Sequence, residues 1–182
     1  MITFLLAKFK KWSFSELLFS QLEAVIQWIV MYLPAFPGMI LRYLVYKLLF
    51  KSVRGFLFTQ PNVQFVHMNR IRFGKNVGIN SGCYLNGIGE IEIDDFVLIG
   101  ANVTISSGMH PIDGQFPTIF ERPSIPKKIK IGAGVWIGAG AVIMPGIHLA
   151  RGTVVGAKSV VTKDTTEFSV VIGAPARIIK NR

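Results

Sequence analysis

The sequence predicts an all-β fold, a parallel β-helix of about five coils, preceded by an α-helical hairpin. Three observations carry that reading. Apolar residues recur every six positions over the last two thirds of the chain. The first sixty residues hold instead a helix-length apolar run interrupted by prolines. Composition then excludes the main rivals: of 182 residues, 51% are hydrophobic and 16% charged, too apolar for a chain to stay disordered. Cys83 is the sole cysteine, so neither a disulfide scaffold nor a zinc-finger cluster can form, and a reducing compartment is expected.

The N-terminal segment comes first. From Ala24 to Leu41 no residue is charged, and as one helix that run would reach about 27 Å, close to a bilayer core. Pro34, Pro37 and Gly38 interrupt it, because proline removes a helical donor and clashes with the preceding turn. The expectation is two helices, roughly 13–33 and 38–54, joined by a Pro-Ala-Phe-Pro-Gly bend. Lys8, Lys10 and Lys11 precede the apolar stretch and Lys47, Lys51 and Arg54 follow it. Basic flanks on both sides keep both ends on the cytoplasmic face, so an interfacial or re-entrant hairpin fits better than a single span. The run Ile2–Ala7 precedes its lysines and no small-residue cleavage site follows, unlike a signal peptide. The net charge of +10 is densest in this apolar part, which suits an anionic lipid surface rather than nucleic acid. The competing reading is a helical cap buried against the rest of the protein or its oligomer.

Beyond residue 62 the period is six. Branched or large apolar residues stand at Phe73, Ile79, Leu85, Ile93, Ile99, Ile105, Ile125, Ile131, Ile137, Ile143, Leu149, Val155 and Val161, and ten of the twelve intervals are six residues long. A second small or apolar residue follows four positions later in most units, for example Val77, Cys83, Val97 and Ala141. Cys83 therefore reads as a small interior filler. Six residues make one short strand and one turn, and three such units make a triangular coil. Stacked at strand spacing, thirteen units give a prism about 20 Å tall. Two intervals break the count: eight residues from Leu85 to Ile93, and twenty from Ile105 to Ile125. The second leaves an inserted loop at about 109–124, and solenoids carry insertions on one face, often the binding face.

That loop opens Ser106-Ser107-Gly108-Met109-His110-Pro111-Ile112-Asp113. With the six-residue repeat, it makes the chain resemble the hexapeptide-repeat acyltransferases, in the branch of maltose and galactoside O-acetyltransferases and their relatives on surface polysaccharides. His110-Pro111-Ile112-Asp113 is similar to the His-Pro-Leu-Asp of that branch, whose histidine is the catalytic base. Asn80, thirty residues earlier, matches the branch's active-site Asn, which helps bind the acceptor. The resemblance implies a left-handed coil and a homotrimer with sites between subunits. It also implies direct attack of a sugar hydroxyl on the thioester of acetyl-CoA. A hydroxyl needs a positioned base at neutral pH, and an imidazole suits that task. Asn86 and Asp113 are the further expected acceptor contacts.

The last third resembles the family's coenzyme A segments: Trp136-Ile137-Gly138-Ala139-Gly140-Ala141, Gly156-Ala157, Val161-Thr162-Lys163-Asp164 and Gly173-Ala174-Pro175-Ala176-Arg177. The resemblance implies that backbone amides at Ala139 and Ala157 hold the pantetheine arm, with Trp136, Thr162 and Lys163 alongside. It sets Arg177 and Lys180 near the nucleotide phosphates, where cations suit several negative charges. No metal is expected, because His67, His110 and His148 lie 43 and 38 residues apart, unlike the closely spaced pair of the zinc enzymes that share this prism.

One departure bears on the acceptor. Maltose-type enzymes carry acidic residues after the Asn-containing coil, where this chain reads Asn86-Gly87-Ile88. With the apolar N-terminus, that favours a lipid-linked or membrane-proximal polysaccharide over a free disaccharide. The expected organisation is a membrane-associating segment over 1–61, the β-helix over 62–166, and a tail over 167–182 covering the coenzyme A site. The expected location is the cytoplasmic face of a bacterial inner membrane. Two other functions stay open: N-acetyl transfer to an amino sugar or xenobiotic, and a non-catalytic membrane-anchored scaffold.

Overall fold

A computed structural model describes residues 13–114 and 118–182. The expected basic flank Lys8, Lys10 and Lys11, and the run Ile2–Ala7, lie outside the described residues. The chain opens with α1 (Phe14–Val30). A capping box starts it: the Ser13 hydroxyl accepts from the Glu16 N–H and the Glu16 carboxylate from the Ser13 N–H. Helix α2 spans Ala35–Leu49. The break between them falls three residues earlier than the sequence suggests, at 31–34, and Pro37 sits in the first turn of α2, where an N–H has no helical partner to lose. Gly38 belongs to α2 as well, and a Cβ there would collide with the Leu33 carbonyl.

The coil begins at Ser52, ten residues before the expected boundary. Its first turn is β1 (Ser52–Val53), β2 (Leu57–Thr59) and β3 (Gln64–Val66), and the second is β4 (Ile71–Phe73), β5 (Val77–Ile79) and β6 (Tyr84–Asn86). The third is β7 (Ile91–Ile93), β8 (Leu98–Ile99) and β9 (Thr104–Ser106). The fourth is β12 (Ile129–Ile131), β13 (Trp136–Ile137) and β14 (Val142–Ile143), and the fifth is β15 (His148–Leu149), β16 (Val154–Val155) and β17 (Val160–Val161). Like strands stack in parallel into three sheets: A from β1-β4-β7-β12-β15, B from β2-β5-β8-β13-β16, and C from β3-β6-β9-β14-β17. The winding is that of a left-handed β-helix. A sixth turn starts with β18 (Ser169–Gly173), and β19 (Ala176–Asn181) folds back antiparallel to close the far end of sheet B.

The interior is the six-residue column read in three directions. Phe73, Ile93, Ile131 and Leu149 line sheet A, Ile79, Ile99, Ile137 and Val155 sheet B, and Leu85, Ile105, Ile143 and Val161 sheet C, all buried. The first coil keeps the same spacing with Val53, Thr59 and Phe65. Thr59, fully buried, interrupts the apolar signal and hides that coil from the pattern.

Ile125 is not an interior residue. It lies in β11 (Ile125–Pro126), which pairs antiparallel with β10 (Gly108–Met109), and it is exposed. Ile131, not Ile125, stands in register with Ile93. The excursion therefore runs from Ser107 to Lys128, longer than the expected 109–124. It leaves the prism at the C–A edge, where the eight-residue steps Phe65 to Phe73 and Leu85 to Ile93 also fall. All the widened turns share one edge.

The helices lie across the open end of the first coil with their polar residues turned inward. The Gln27 amide donates to the Phe65 carbonyl and accepts the Phe65 N–H, and the Glu23 carboxylate accepts the Met68 N–H. The Arg42 guanidinium donates to the carbonyls of Thr59, Val30 and Leu33, tying the end of α1 and the edge of β2 to α2. A first coil has a row of unpaired backbone groups, and these side chains satisfy several of them. Tyr46, Phe50, Phe65 and Phe73 pack edge-to-face behind them.

The apolar residues of the helices face outward instead. Phe14, Leu18, Leu22, Val25 and Ile29 recur along α1 and Phe36, Ile40, Leu44 and Leu48 along α2, all exposed, with Trp28 at 73% and Leu48 at 84%. Among the described residues, no helix is long and apolar enough to cross a membrane. Two of the basic residues after α2 are held by ion pairs, Lys51 with Glu90 at 2.7 Å and Arg54 with Asp95 at 2.9 Å.

Candidate active site

The expected site residues divide between two edges of the prism. On the B–C edge Asn80 leaves β5, Ala139 leaves β13 and Ala157 leaves β16. Asn80 is exposed, and its side-chain nitrogen donates to the Ile99 carbonyl at 3.1 Å. The coils approach closely along this edge: a Cβ on Gly138 would stand 2.6 Å from the Ala157 nitrogen, and one on Gly100 2.7 Å from that of Ala139. Among the described residues, the N–H groups of Ala139 and Ala157 have no acceptor. They form a short ladder of donors one coil step apart, about 4.8 Å. Trp136 lies outward on sheet B, 55% exposed, in register with Leu98 and Val154.

On the C–A edge His110 follows β10 and is exposed. Its loop is pinned at the base. Buried Ser107 donates its hydroxyl to the Asn86 carbonyl at 2.8 Å and accepts the Gly89 N–H at 2.8 Å, and its carbonyl accepts the Lys127 N–H at 2.7 Å. Next to it, Lys128 binds Glu92 at 2.6 Å, and that hydrogen bond, ahead of opposing desolvation, holds the Glu92 carboxyl below its ordinary range. Arg122 donates to the carbonyls of Asp113 and Gly114, which fixes the exposed turn carrying Asp113. His110 therefore projects from a loop held at both ends.

Asn86 is on this edge too, and its amide oxygen is engaged locally: it accepts the Ile88 N–H at 3.1 Å and lies 3.2 Å from the His67 Nδ1. Burial lowers the His67 pKa and outweighs that contact. Thr162 and Lys163, both exposed, leave β17 on the same edge two coils beyond the His110 loop. Arg177 and Lys180 project from β19 at the far end of sheet B.

A single chain thus gathers Asn80, Ala139 and Ala157 on one edge and His110, Asp113, Thr162 and Lys163 on the next, with sheet C between them. It does not bring His110 to Asn80. The pattern also missed Ser107, Arg122 and the inward polar residues of the helices. Only Ser107 had a signal, a polar residue just before the repeat broke. Among the described residues, no group of three or more His, Cys, Asp or Glu side chains converges.

The sequence profile described as "Bacterial transferase hexapeptide (six repeats)" matches residues 128–163. The galactoside O-acetyltransferase of Escherichia coli K12 is 35% identical over 134 residues, covering 74% of this chain and 65% of that protein. The chain spans between about half and two thirds of the length of the curated relatives it matches. Among solved structures, a maltose O-acetyltransferase from Clostridium difficile 630 is 30% identical with a TM-score of 0.78, covering 93% of this chain and 89% of that one. A galactoside acetyltransferase in complex with coenzyme A is 27% identical with a TM-score of 0.85, covering 94% and 84%.

Proposed function

Because the chain belongs to the hexapeptide-repeat acyltransferases, on the side of the galactoside and maltose O-acetyltransferases, we propose that it transfers an acetyl group from acetyl-CoA to a hydroxyl of a lipid-linked or membrane-proximal polysaccharide. The observation that carries this reading is the division of the site residues between two adjacent edges. A cyclic trimer with sheet C turned toward its axis sets the B–C edge of one chain against the C–A edge of the next. Symmetry then gives three equivalent clefts, each with a donor ladder on one wall and His110 on the other.

In such a cleft the N–H groups of Ala139 and Ala157 suit the amide carbonyls of the pantetheine arm, with Trp136 beside it. Thr162 and Lys163 come from the opposite wall, and Arg177 and Lys180 supply positive charge for the phosphates. His110 takes the proton of the acceptor hydroxyl. The oxygen attacks the thioester carbon, and collapse of the tetrahedral adduct breaks the C–S bond. The departing thiolate recovers the proton from the imidazolium, leaving an acetyl ester and free coenzyme A. Asn80 and Asp113 orient the acceptor, with Asn86 at the neighbouring turn. Removing such a base costs about 10²–10⁴ in rate, and alignment of two substrates supplies much of the rest.

The outward apolar face of α1 and α2 supports contact with a membrane surface. The helices lie in the interface plane, since their polar sides are fastened to the first coil. That geometry favours an acceptor delivered from the lipid side.

The test is coenzyme A thiol release from acetyl-CoA with a membrane glycan fraction as acceptor. His110→Ala is expected to lower kcat by about 10²–10⁴ with thermal stability and assembly retained. An unchanged rate overturns the assignment.

A further inference from the structure

The C–A edge continues below the His110 loop toward the helical cap. There a cavity of about 190 Å³ opens between α1 and the corners of the first two coils. Glu16, Phe19 and Glu23 line it from α1, and His67, Asn69 and Arg70 from the first corner. Ile88 forms the wall toward the loop, and its side chain fills the space that a Cβ on Gly108 would enter. His110 stands two residues past that glycine. The first corner and the base of the His110 loop thus lie on one edge two coil steps apart, about 10 Å, with the Ile88 corner between them.

The lining is built for hydroxyl groups. Glu23 is 4% exposed and accepts the Met68 N–H through one oxygen, and a carboxyl has further lone pairs for donors. Arg70 donates to the Ile88 carbonyl at 2.8 Å and to Glu16 at 3.2 Å. Asn69 offers an exposed amide that, among the described residues, has no hydrogen bond. Phe19 supplies an apolar wall against which the C–H face of a ring can lie. Two carboxyl groups beside one paired guanidinium disfavour a phosphate, and an acyl chain would cover the polar groups of Glu23, Asn69 and Arg70 without pairing them.

We infer that this cavity is a second sugar subsite, holding a neutral ring of the acceptor glycan between its membrane end and the ring presented to His110. The inference rests on the reading of His110 as the base on that edge. It makes the acceptor an oligosaccharide or longer glycan, with Asn69 and Glu23 as specificity-determining contacts outside the reacting centre.

The experiment uses the full chain on an array of bacterial-type oligosaccharides of one to five rings, with thiol release from acetyl-CoA measured separately. Wild type and His110→Ala are both expected to bind glycans of two or more rings. Asn69→Ala and Glu23→Gln are each expected to weaken that binding at least tenfold. Glutamine keeps an acceptor for the Met68 N–H, and Asn69 is exposed, so thermal melting checks that both variants fold. No binding to any glycan, a preference for single rings, or variants that bind like wild type would each overturn the subsite. Acetyl transfer that survives in His110→Ala, with multi-ring binding intact, overturns the catalytic reading and leaves the subsite standing.

Discussion

Gln27 and Phe65 exchange two hydrogen bonds: the side-chain nitrogen donates to the backbone carbonyl at 2.7 Å, and the backbone N–H donates to the side-chain oxygen at 2.8 Å. The glutamine imitates the next strand of sheet C at an edge where no strand follows. Gln27→Leu leaves a buried N–H and a buried C=O unpaired, at about 1–3 kcal/mol each. Thermal denaturation should show Tm lowered by about 2–4 °C for each kcal/mol. An unchanged Tm would mean that the cap adds nothing to the coil's stability.

Glu23 makes the cap sensitive to pH. Burial pushes its carboxyl up to about 7, against the lowering effect of backbone N–H groups at Met68 and His67. The folded state therefore binds the proton more tightly than the unfolded chain, and stability declines as pH rises from about 4.5 to about 7, then levels. His67 across the cavity acts in the opposite sense, because burial lowers its pKa and stability falls as pH drops below its ordinary value. Arg70 and Glu16 are the other charged groups facing the cavity. The difference in unfolding free energy between Glu23→Gln and wild type isolates the carboxyl. Denaturant titrations should find the variant gaining on wild type between pH 5 and pH 8, by at most on the order of 3 kcal/mol. A flat difference would remove Glu23 as the source.

Gly138 tests the donor ladder. A methyl group there meets the Ala157 nitrogen at 2.6 Å, so Gly138→Ala must push two coils apart or cover that N–H. The expected result is a loss of about 1–3 kcal/mol in stability and a raised KM for acetyl-CoA. Acceptor KM should change less, and equal effects on both substrates would argue against a donor-specific role.

The outward face of the hairpin predicts lipid binding. In flotation with vesicles containing anionic lipid, the full chain should rise with the lipid, and its tryptophan fluorescence should shift to the blue, a shift that Trp28→Phe should diminish. Trp28→Asp with Leu48→Asp should leave the chain at the bottom of the gradient with its melting curve unchanged, since both side chains are exposed. Flotation equal to wild type would assign the apolar face to another occupant.

The interior of the coil was legible because a repeat of six leaves the same kind of residue at every inward position. The reading failed where chemistry and count disagreed. Thr59 is inward but polar, so the first coil was lost to the N-terminal segment. Ile125 keeps the six-residue step before Ile131 but has no coil around it, so the excursion was drawn too short. The helices differ in another way: the uncharged run from Ala24 to Leu41 draws the eye to their apolar residues, whereas Glu23 and Arg42 at its two ends and Gln27 within it are the inward face. At the site, motif spacing singled out His110 and Asn80, yet one chain holds them on separate edges. In the proposed trimer a second chain would bring them together, and the residue pattern of one chain carries no such contact.

The inside-out hairpin also bears on the order in which the protein is made. Gln27 finds its partner 38 residues later and Glu23 finds its own 45 later. Synthesis proceeds from the N-terminus, so the two helices leave the ribosome before the groups that fasten them exist. Through that interval their inward polar groups stay without the backbone partners that later hold them, and the hairpin is fastened only once the first corner of the coil has emerged.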